Sequence, residues 1–305
     1  MLDLIIIGAG PAGMTAAIYA ARRKVNFLVL GLAMGGQMSW SSDVDNYPGV
    51  PDIAGVELTK KFYEHMQEYK IQIKQEEVVK VEKKGKVIEV ETKKSKYQAK
   101  AVIIASGKAP RKLNVPGEDK FLGSGISYCA VCDAPLHKNK IVAVVGSGNS
   151  GLDACLFLSQ YAKKIYLLDI MPKIIGEPYL RDKVLKNKKI SFIGGVKIKE
   201  ILGNKFVNAL KYEKNGKTEE LRINSVFVEI GLVSKSDFTK VKKNKWGEIM
   251  LFRSTKTNEE NMTSEAGIFA AGDCTDIPAK QIIVAAGEGA KAAIATFDYI
   301  QKFKS

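Results

Sequence analysis

The sequence predicts an α/β fold, and two observations predict it. The first is an internal repeat. Residues 3–31, DLIIIGAGPAGMTAAIYAARRKVNFLVLG, and residues 140–169, KIVAVVGSGNSGLDACLFLSQYAKKIYLLD, share one layout. The second is the context of G-x-G-x-x-G in each copy: a short β-branched apolar run precedes it and a longer apolar-periodic stretch follows. That order reads as strand, turn and helix, closed by a second strand in FLVL and IYLL.

The elements follow in chain order. Gly8, Gly10 and Gly13 form the first loop, with Pro11 and Ala12 between them. Gly146, Gly148 and Gly151 form the second, with Asn149 and Ser150 between them. The first glycine permits the tight turn, the second lets backbone approach a pyrophosphate, and the third lets helix and strand pack closely. The helix N-terminus then offers free N–H groups and the positive end of its dipole. Two such loops predict two Rossmann-like dinucleotide-binding units. The copies differ at the end of the second strand, where the first has Gly31 and the second Asp169. An acid at that position bonds an adenosine ribose hydroxyl.

Residues 80–105 alternate as strands with Lys/Gly turns, and residues 190–231 do the same. KLNVPGED, residues 112–119, has the Pro-Gly signature of a connection. AGIFAAGDC, residues 266–274, reads as a buried strand ending in Gly272-Asp273, and residues 281–303 read as a closing helix.

Composition narrows the function classes. Among 305 residues, 46% are hydrophobic and 26% charged, as in a soluble globular protein. No apolar run approaches the ~18 residues of a membrane span. The opening MLDLIIIGAG has no basic n-region, which predicts a cytoplasmic location. The net charge is +14, with lysine clusters at 83–86, 93–96, 186–189 and 240–245. These are scattered through turn-like segments and not interleaved with aromatics, so they read as solvated surface and not as a nucleic-acid face. An acidic protein partner is the sharper alternative.

The stretch SYCAVCDAP, residues 127–135, carries the chemistry. Only Cys129, Cys132, Cys155 and Cys274 occur, with His65 and His137. One CxxC without a second pair is a poor zinc site. A disulfide across so short a loop stabilises little. Redox exchange remains, in which one sulfur attacks a substrate disulfide and the other resolves the mixed disulfide. Asp133 directly follows the pair as a candidate proton donor and acceptor, with helix capping as its other use. Cys155 and Cys274 read as buried residues without a catalytic role.

Six stretches taken together carry a family resemblance: residues 8–22, 35–49, 103–119, 125–136, 144–151 and 267–293. Over essentially its whole length the chain resembles the low-molecular-weight thioredoxin reductases, FAD-dependent class II pyridine nucleotide-disulfide oxidoreductases. It is equally similar to the flavoprotein part of the alkyl hydroperoxide reductase flavin subunit. The resemblance implies that the second dinucleotide-binding domain, 114–245, is inserted into an FAD domain made of 1–113 and 246–305. It implies that Gly8, Gly10, Pro11, Ala12 and Gly13 cradle the FAD pyrophosphate, and that Gly36, Gln37, Asn46 and Gly107 line the cofactor. Gly272 and Asp273 would meet the ribityl chain, and Lys280, Gln281 and Ile282 the flavin ring; the family usually has Arg where Lys280 stands. Cys129 would be the interchange thiol facing outward, Cys132 the flavin-side thiol, and Asp133 the acid–base group.

The donor is the point of departure. NADPH-dependent members carry a basic cluster after the second nucleotide strand. Here DIMPKII follows, with Asp169 first and no arginine before Arg181. A carboxylate repels a 2′-phosphate, so NADH is expected over NADPH, held by Gly146, Gly148, Asn149, Ser150, Gly151, Asp169 and Gly231. Gly231 lacks the proline that follows in the family. Some thioredoxin reductase-like flavoproteins take electrons from ferredoxin, an acidic protein that +14 would steer; a dithiol oxidase discharging to oxygen is a further alternative. The expected acceptor is a separate small thioredoxin- or glutaredoxin-like disulfide protein, and the expected assembly a homodimer, with no metal.

Overall fold

The computed structural model describes residues 1–41, 44, 46–252 and 260–303. Ser42, Asp43 and Asp45, within one of the six resembling stretches, lie outside the described residues. The chain divides into two compact units, Met1–Ala109 with Val233–Ser305, and Pro110–Leu232. The second crossing thus falls before residue 233, whereas the sequence reading places it after 245. The reason lies in interleaved apolar residues: Val241 is buried and Phe238 packs beside it in the first unit's core. The Val81 N–H donates to the Phe238 carbonyl at 2.7 Å. The lysines at 240–245 mask this in the sequence.

In the first unit, strand Leu2–Ile7 lies between Phe27–Leu30 and Lys96–Ile104, parallel to both. Residues 4–7 are buried on both faces, the position that a continuous Leu/Ile run fits. Lys96–Ile104 serves twice. Its first half pairs antiparallel with Val87–Thr92, and its second half parallel with Ile268–Ala270. That last pairing seats Gly272 and Asp273 just past the sheet edge where the first glycine loop emerges.

Helix Pro11–Arg22 begins at the loop, with Gly10 as N-cap and proline in its first turn, where a missing N–H costs nothing. The closing helix Ile282–Gln301 crosses it through small residues. A Cβ on Gly289 would lie 2.1 Å from the Ala12 carbonyl oxygen.

The second unit repeats this plan. Its five-stranded sheet has the order Ile190–Gly194, Lys164–Asp169, Ile141–Val145, Ser225–Val228, Ile126–Ser127. Every pairing in it is parallel. Helix Asn149–Leu158 starts at the second glycine loop, and an antiparallel sheet of Val196–Gly203, Val207–Lys214 and Lys217–Arg222 covers one side. The alternation across 190–231 thus resolves into one parallel strand, three antiparallel strands and a return to the parallel sheet. Among the described residues no helix is long and apolar enough to cross a membrane.

Gly289→Val is expected to separate the two helices and cost about 3 kcal/mol. Thermal unfolding checks this; an unchanged midpoint would show that the crossing tolerates the added side chain.

Candidate active site

Both glycine loops are built by close approach. Gly8 has φ +117° and Gly146 φ +111°. A Cβ on Gly8 would lie 2.0 Å from the Ala105 oxygen, and one on Gly146 would lie 2.2 Å from the Glu229 oxygen. A Cβ on Gly13 would stand 1.9 Å from the Gly8 oxygen, and one on Gly151 1.8 Å from the Gly146 oxygen. Among the described residues no side chain caps either helix, so the first-turn N–H groups of Ala12 and Gly13, and of Asn149 and Ser150, meet no side-chain acceptor there.

In the first unit, residues distant in sequence converge. Gly36 opens the 3₁₀ helix Gly36–Trp40, and a Cβ there would meet the Gly10 Cα at 3.4 Å. The Gln37 amide donates to the Lys108 carbonyl at 3.1 Å. The Asn46 amide donates to Gln281 Oε1 at 3.0 Å, joining two expected cofactor residues 235 positions apart. Gly107 and Gly272 take left-handed φ values of +64° and +76°. A Cβ on Gly272 would touch that of Ala12 at 3.0 Å. Asp273 is half-buried, its carboxylate has no hydrogen-bond partner among the described residues, and burial pushes its pKa up. Lys280 Nζ donates to the carbonyls of Asp273 (3.3 Å) and Thr275 (2.6 Å). Gln281 is N-cap of the helix that Ile282 opens.

In the second unit Cys129 and Cys132 form a disulfide, with Cα atoms 5.4 Å apart. Strand Ile126–Ser127, at the sheet edge, delivers them. Cys129 is N-cap of the short helix Ala130–Asp133, and its Sγ accepts the Cys132 N–H at 3.2 Å. Cys132 is exposed and Cys129 half-buried, so exposure alone runs opposite to the outward and inward assignment. Among the described residues the Asp133 side chain makes no capping hydrogen bond. With Leu136, His137 and Lys140 it lines an open cavity of about 320 Å³.

Two further groups pack around this site: Glu118, which the sequence reading did not single out, and His137, which it weighed only as a metal ligand. Buried Glu118 accepts the Leu113 and Asn114 N–H groups and the Tyr128 hydroxyl, bracing the residue before Cys129. Buried His137 pairs through Nδ1 with Ser225 Oγ at 3.0 Å, and burial lowers its pKa. Cys155 and Cys274 are wholly buried and burial raises both thiols, which suits inert residues.

The second loop carries more acid than its pattern suggests. Asp169 is buried, and its carboxylate is turned onto backbone, accepting the N–H groups of Ser147 at 2.5 Å and Met171 at 2.8 Å. The Asn149 amide donates to Glu177 at 2.8 Å, and Asn149 Oδ1 accepts the Glu177 N–H at 2.8 Å. Ser150 is exposed. Gly231 has φ +94°, and its carbonyl accepts the Arg111 N–H. Glu229 stands where the first unit has Ala105, and burial, then the charge of Asp153, push its carboxyl up to about 8.

Comparison with known proteins places this geometry. The model of the family described as pyridine nucleotide-disulphide oxidoreductase matches residues 2–290. The chain belongs to that family. An alkyl hydroperoxide reductase subunit of Escherichia coli is 35% identical over 313 residues, covering 99% of this chain and 59% of that protein. The chain thus spans about three fifths of that relative. Thioredoxin reductase of Buchnera aphidicola is 39% identical over 308 residues, 97% of this chain and 96% of that one. Among solved structures, Lactococcus lactis thioredoxin reductase superposes with a TM-score of 0.86 at 32% identity, covering 99% of this chain and 100% of that one. The ferredoxin-flavin thioredoxin reductase of Clostridium acetobutylicum gives 0.55 at 32%, covering 99% and 98%.

Membership places the chain in the class of pyridine nucleotide-disulphide oxidoreductases, for which FAD and a pyridine nucleotide are the expected cofactors. Its residues fit that pair of cofactors. In each loop the first and third glycines leave no room for a Cβ while the middle ones, Gly10 and Gly148, have room for one; among the described residues both helix N-termini are uncapped and the Asp273 carboxyl lacks a partner.

Glu229 keeps a proton in the folded chain that the unfolded chain releases above about 4.5. Stability of the second unit is therefore expected to fall as pH rises from about 4.5 to about 8. Glu229→Gln should flatten that segment of the curve in thermal unfolding; a curve parallel to the parent would contradict it.

Proposed function

We propose that this oxidoreductase passes electrons from NADH, in preference to NADPH, through FAD and the Cys129/Cys132 pair to the disulfide of a small thioredoxin- or glutaredoxin-like protein. The observation carrying this reading is the Cys129–Cys132 disulfide at a helix start, with Asp133 uncommitted beside it. The expected FAD residues are Gly8, Gly10, Pro11, Ala12 and Gly13 at the pyrophosphate, Gly36, Gln37, Asn46 and Gly107 along the cofactor, Gly272 and Asp273 at the ribityl chain, and Lys280, Gln281 and Ile282 at the ring. The bound flavin supplies two electrons to the disulfide.

Opening of the S–S bond takes up those two electrons and leaves two sulfur atoms to be protonated or held as thiolate. Cys129, with the Cys132 N–H on its sulfur, attacks the partner's disulfide and displaces one partner sulfur. Cys132 then attacks Cys129, re-forming the intramolecular bond and releasing the partner as a dithiol. Asp133 gives and takes the proton as the thiolates discharge and form. The assembly is a cytoplasmic homodimer in this reading.

One observation favours a second donor. Asp153, Asp169, Glu177 and Glu229 all stand around the second glycine loop, and both oxygens of Asp169 already accept backbone N–H groups. The ionised carboxylates among them repel a pyrophosphate; Glu229, held neutral up to about 8, adds no such charge at neutral pH. A protein donor such as reduced ferredoxin needs no such site, and the net charge of +14 would steer an acidic one.

Anaerobic titration separates the donors. NADH is expected to bleach the flavin at a concentration at least about tenfold below NADPH. A flavin untouched by NADH and reduced by ferredoxin would transfer the assignment to the second reading. Cys132→Ser should trap the carrier on Cys129 as a stable mixed disulfide, seen by mass spectrometry. Trapping by Cys129→Ser instead would exchange the two roles. Asp133→Asn is expected to slow dithiol turnover about 100-fold at unchanged flavin content; an unaffected rate would remove the acid–base role.

A further inference from the structure

Glu248 ends a tight turn in the first unit. Asn244 Oδ1 accepts the N–H groups of Trp246 at 2.9 Å and Glu248 at 3.0 Å. The next residue, Ile249, donates its N–H to the Cys274 carbonyl at 2.8 Å, which seats the turn beside Asp273. One carboxylate oxygen of Glu248 then meets two ammonium groups, Lys108 Nζ at 2.9 Å and Lys280 Nζ at 3.3 Å. The other oxygen accepts the Asn244 amide at 2.7 Å. The side chains are only 13% (Glu248), 16% (Lys108) and 24% (Lys280) exposed.

Each partner leads on to an expected FAD residue. The Lys108 carbonyl accepts the Gln37 amide, and Lys280 is held by the Asp273 carbonyl. Exposed ion pairs of lysine contribute little, but a carboxylate shared by two half-desolvated ammonium groups leaves both uncompensated when removed. Burial opposes the charge on Glu248, yet the Asn244 amide and the two ammonium groups hold its carboxyl down at about 2.

We propose that Glu248 sets the reduction potential of the bound flavin, by fixing Lys108 and Lys280 beside it and cancelling one of their two positive charges. This rests on the placement of FAD at Asp273 and Lys280 given above. Reduction brings two electrons and one proton to the flavin, so net negative charge develops on it. Positive charge nearby favours the reduced form, and a neighbouring carboxylate opposes it. Glu248 is a positioning residue, acting through the lysines.

The test equilibrates the flavin-loaded protein anaerobically with a reference dye of known potential. Glu248→Gln is expected to shift the flavin equilibrium at least about tenfold toward the reduced form, about 30 mV for a two-electron couple. Lys108→Met should shift it at least about tenfold the other way, and the double variant should return to within about threefold of the parent. Single variants that shift it in the same direction, or that both leave it within about threefold of the parent, overturn the proposal. If Glu248→Gln fails to retain flavin, Lys108→Met decides alone by the direction of its shift. Asp273→Asn runs in parallel. Unchanged FAD affinity there would show the placement of FAD to be wrong. Weakened affinity with an unmoved potential in Glu248→Gln would reject the Glu248 role alone.

Discussion

The structure depends on the absence of a side chain at four glycines. At Gly13 and Gly151 the space for a Cβ is already filled by the carbonyl oxygen of the loop's first glycine. At Gly8 and Gly146 it is filled by the backbone of the neighbouring strand's end. This contact brings helix, loop and strand together closely enough for uncapped N–H groups to point at one spot. In the first unit the same economy continues at Gly289, where the closing helix rides on Ala12. A single geometric demand therefore aligns residues from both ends of the chain around one cradle.

The two cradles share a backbone and differ in electrostatics. The first is flanked by Ala105, and its nearby charges are arranged in opposition: Asp273 and Glu248 against Lys108 and Lys280. The second is flanked by Glu229, with Asp153, Asp169 and Glu177 close by. Identical loop geometry thus offers phosphates a balanced site in one unit and, through Asp169 and Glu177, a more acidic one in the other, while Glu229 stays neutral up to about 8. That contrast bears directly on the proposed electron donor, while membership in the pyridine nucleotide-disulphide oxidoreductase family stands on residues 2–290.

The Cys129–Cys132 disulfide sits at the edge of the second sheet. Its position comes from a two-residue strand, and its local order from side chains: the Ser127 hydroxyl on the Cys129 N–H, and Tyr128 on Glu118. The helix that starts at Cys129 is too short to be stable alone, so packing of Ala130 and Ala134 in the core holds it.

The sequence alone determined the two strand–loop–helix units, because the glycine spacing and apolar periodicity are local and steric. It also pointed to a redox pair in SYCAVCDAP, since no other cysteine or histidine set competes with it, and the structure joins the two cysteines in a disulfide. The Asn46–Gln281 bond was legible only as two separate resemblances, and its two ends lie far apart in the chain. Tertiary structure alone decided the rest. It turned the Asp169 carboxylate onto backbone N–H groups, assigned 233–245 to the first unit through Phe238 and Val241, and gathered Lys108, Glu248 and Lys280 around one oxygen. Those outcomes depend on which buried polar groups find partners across the fold, and no local spacing encodes that.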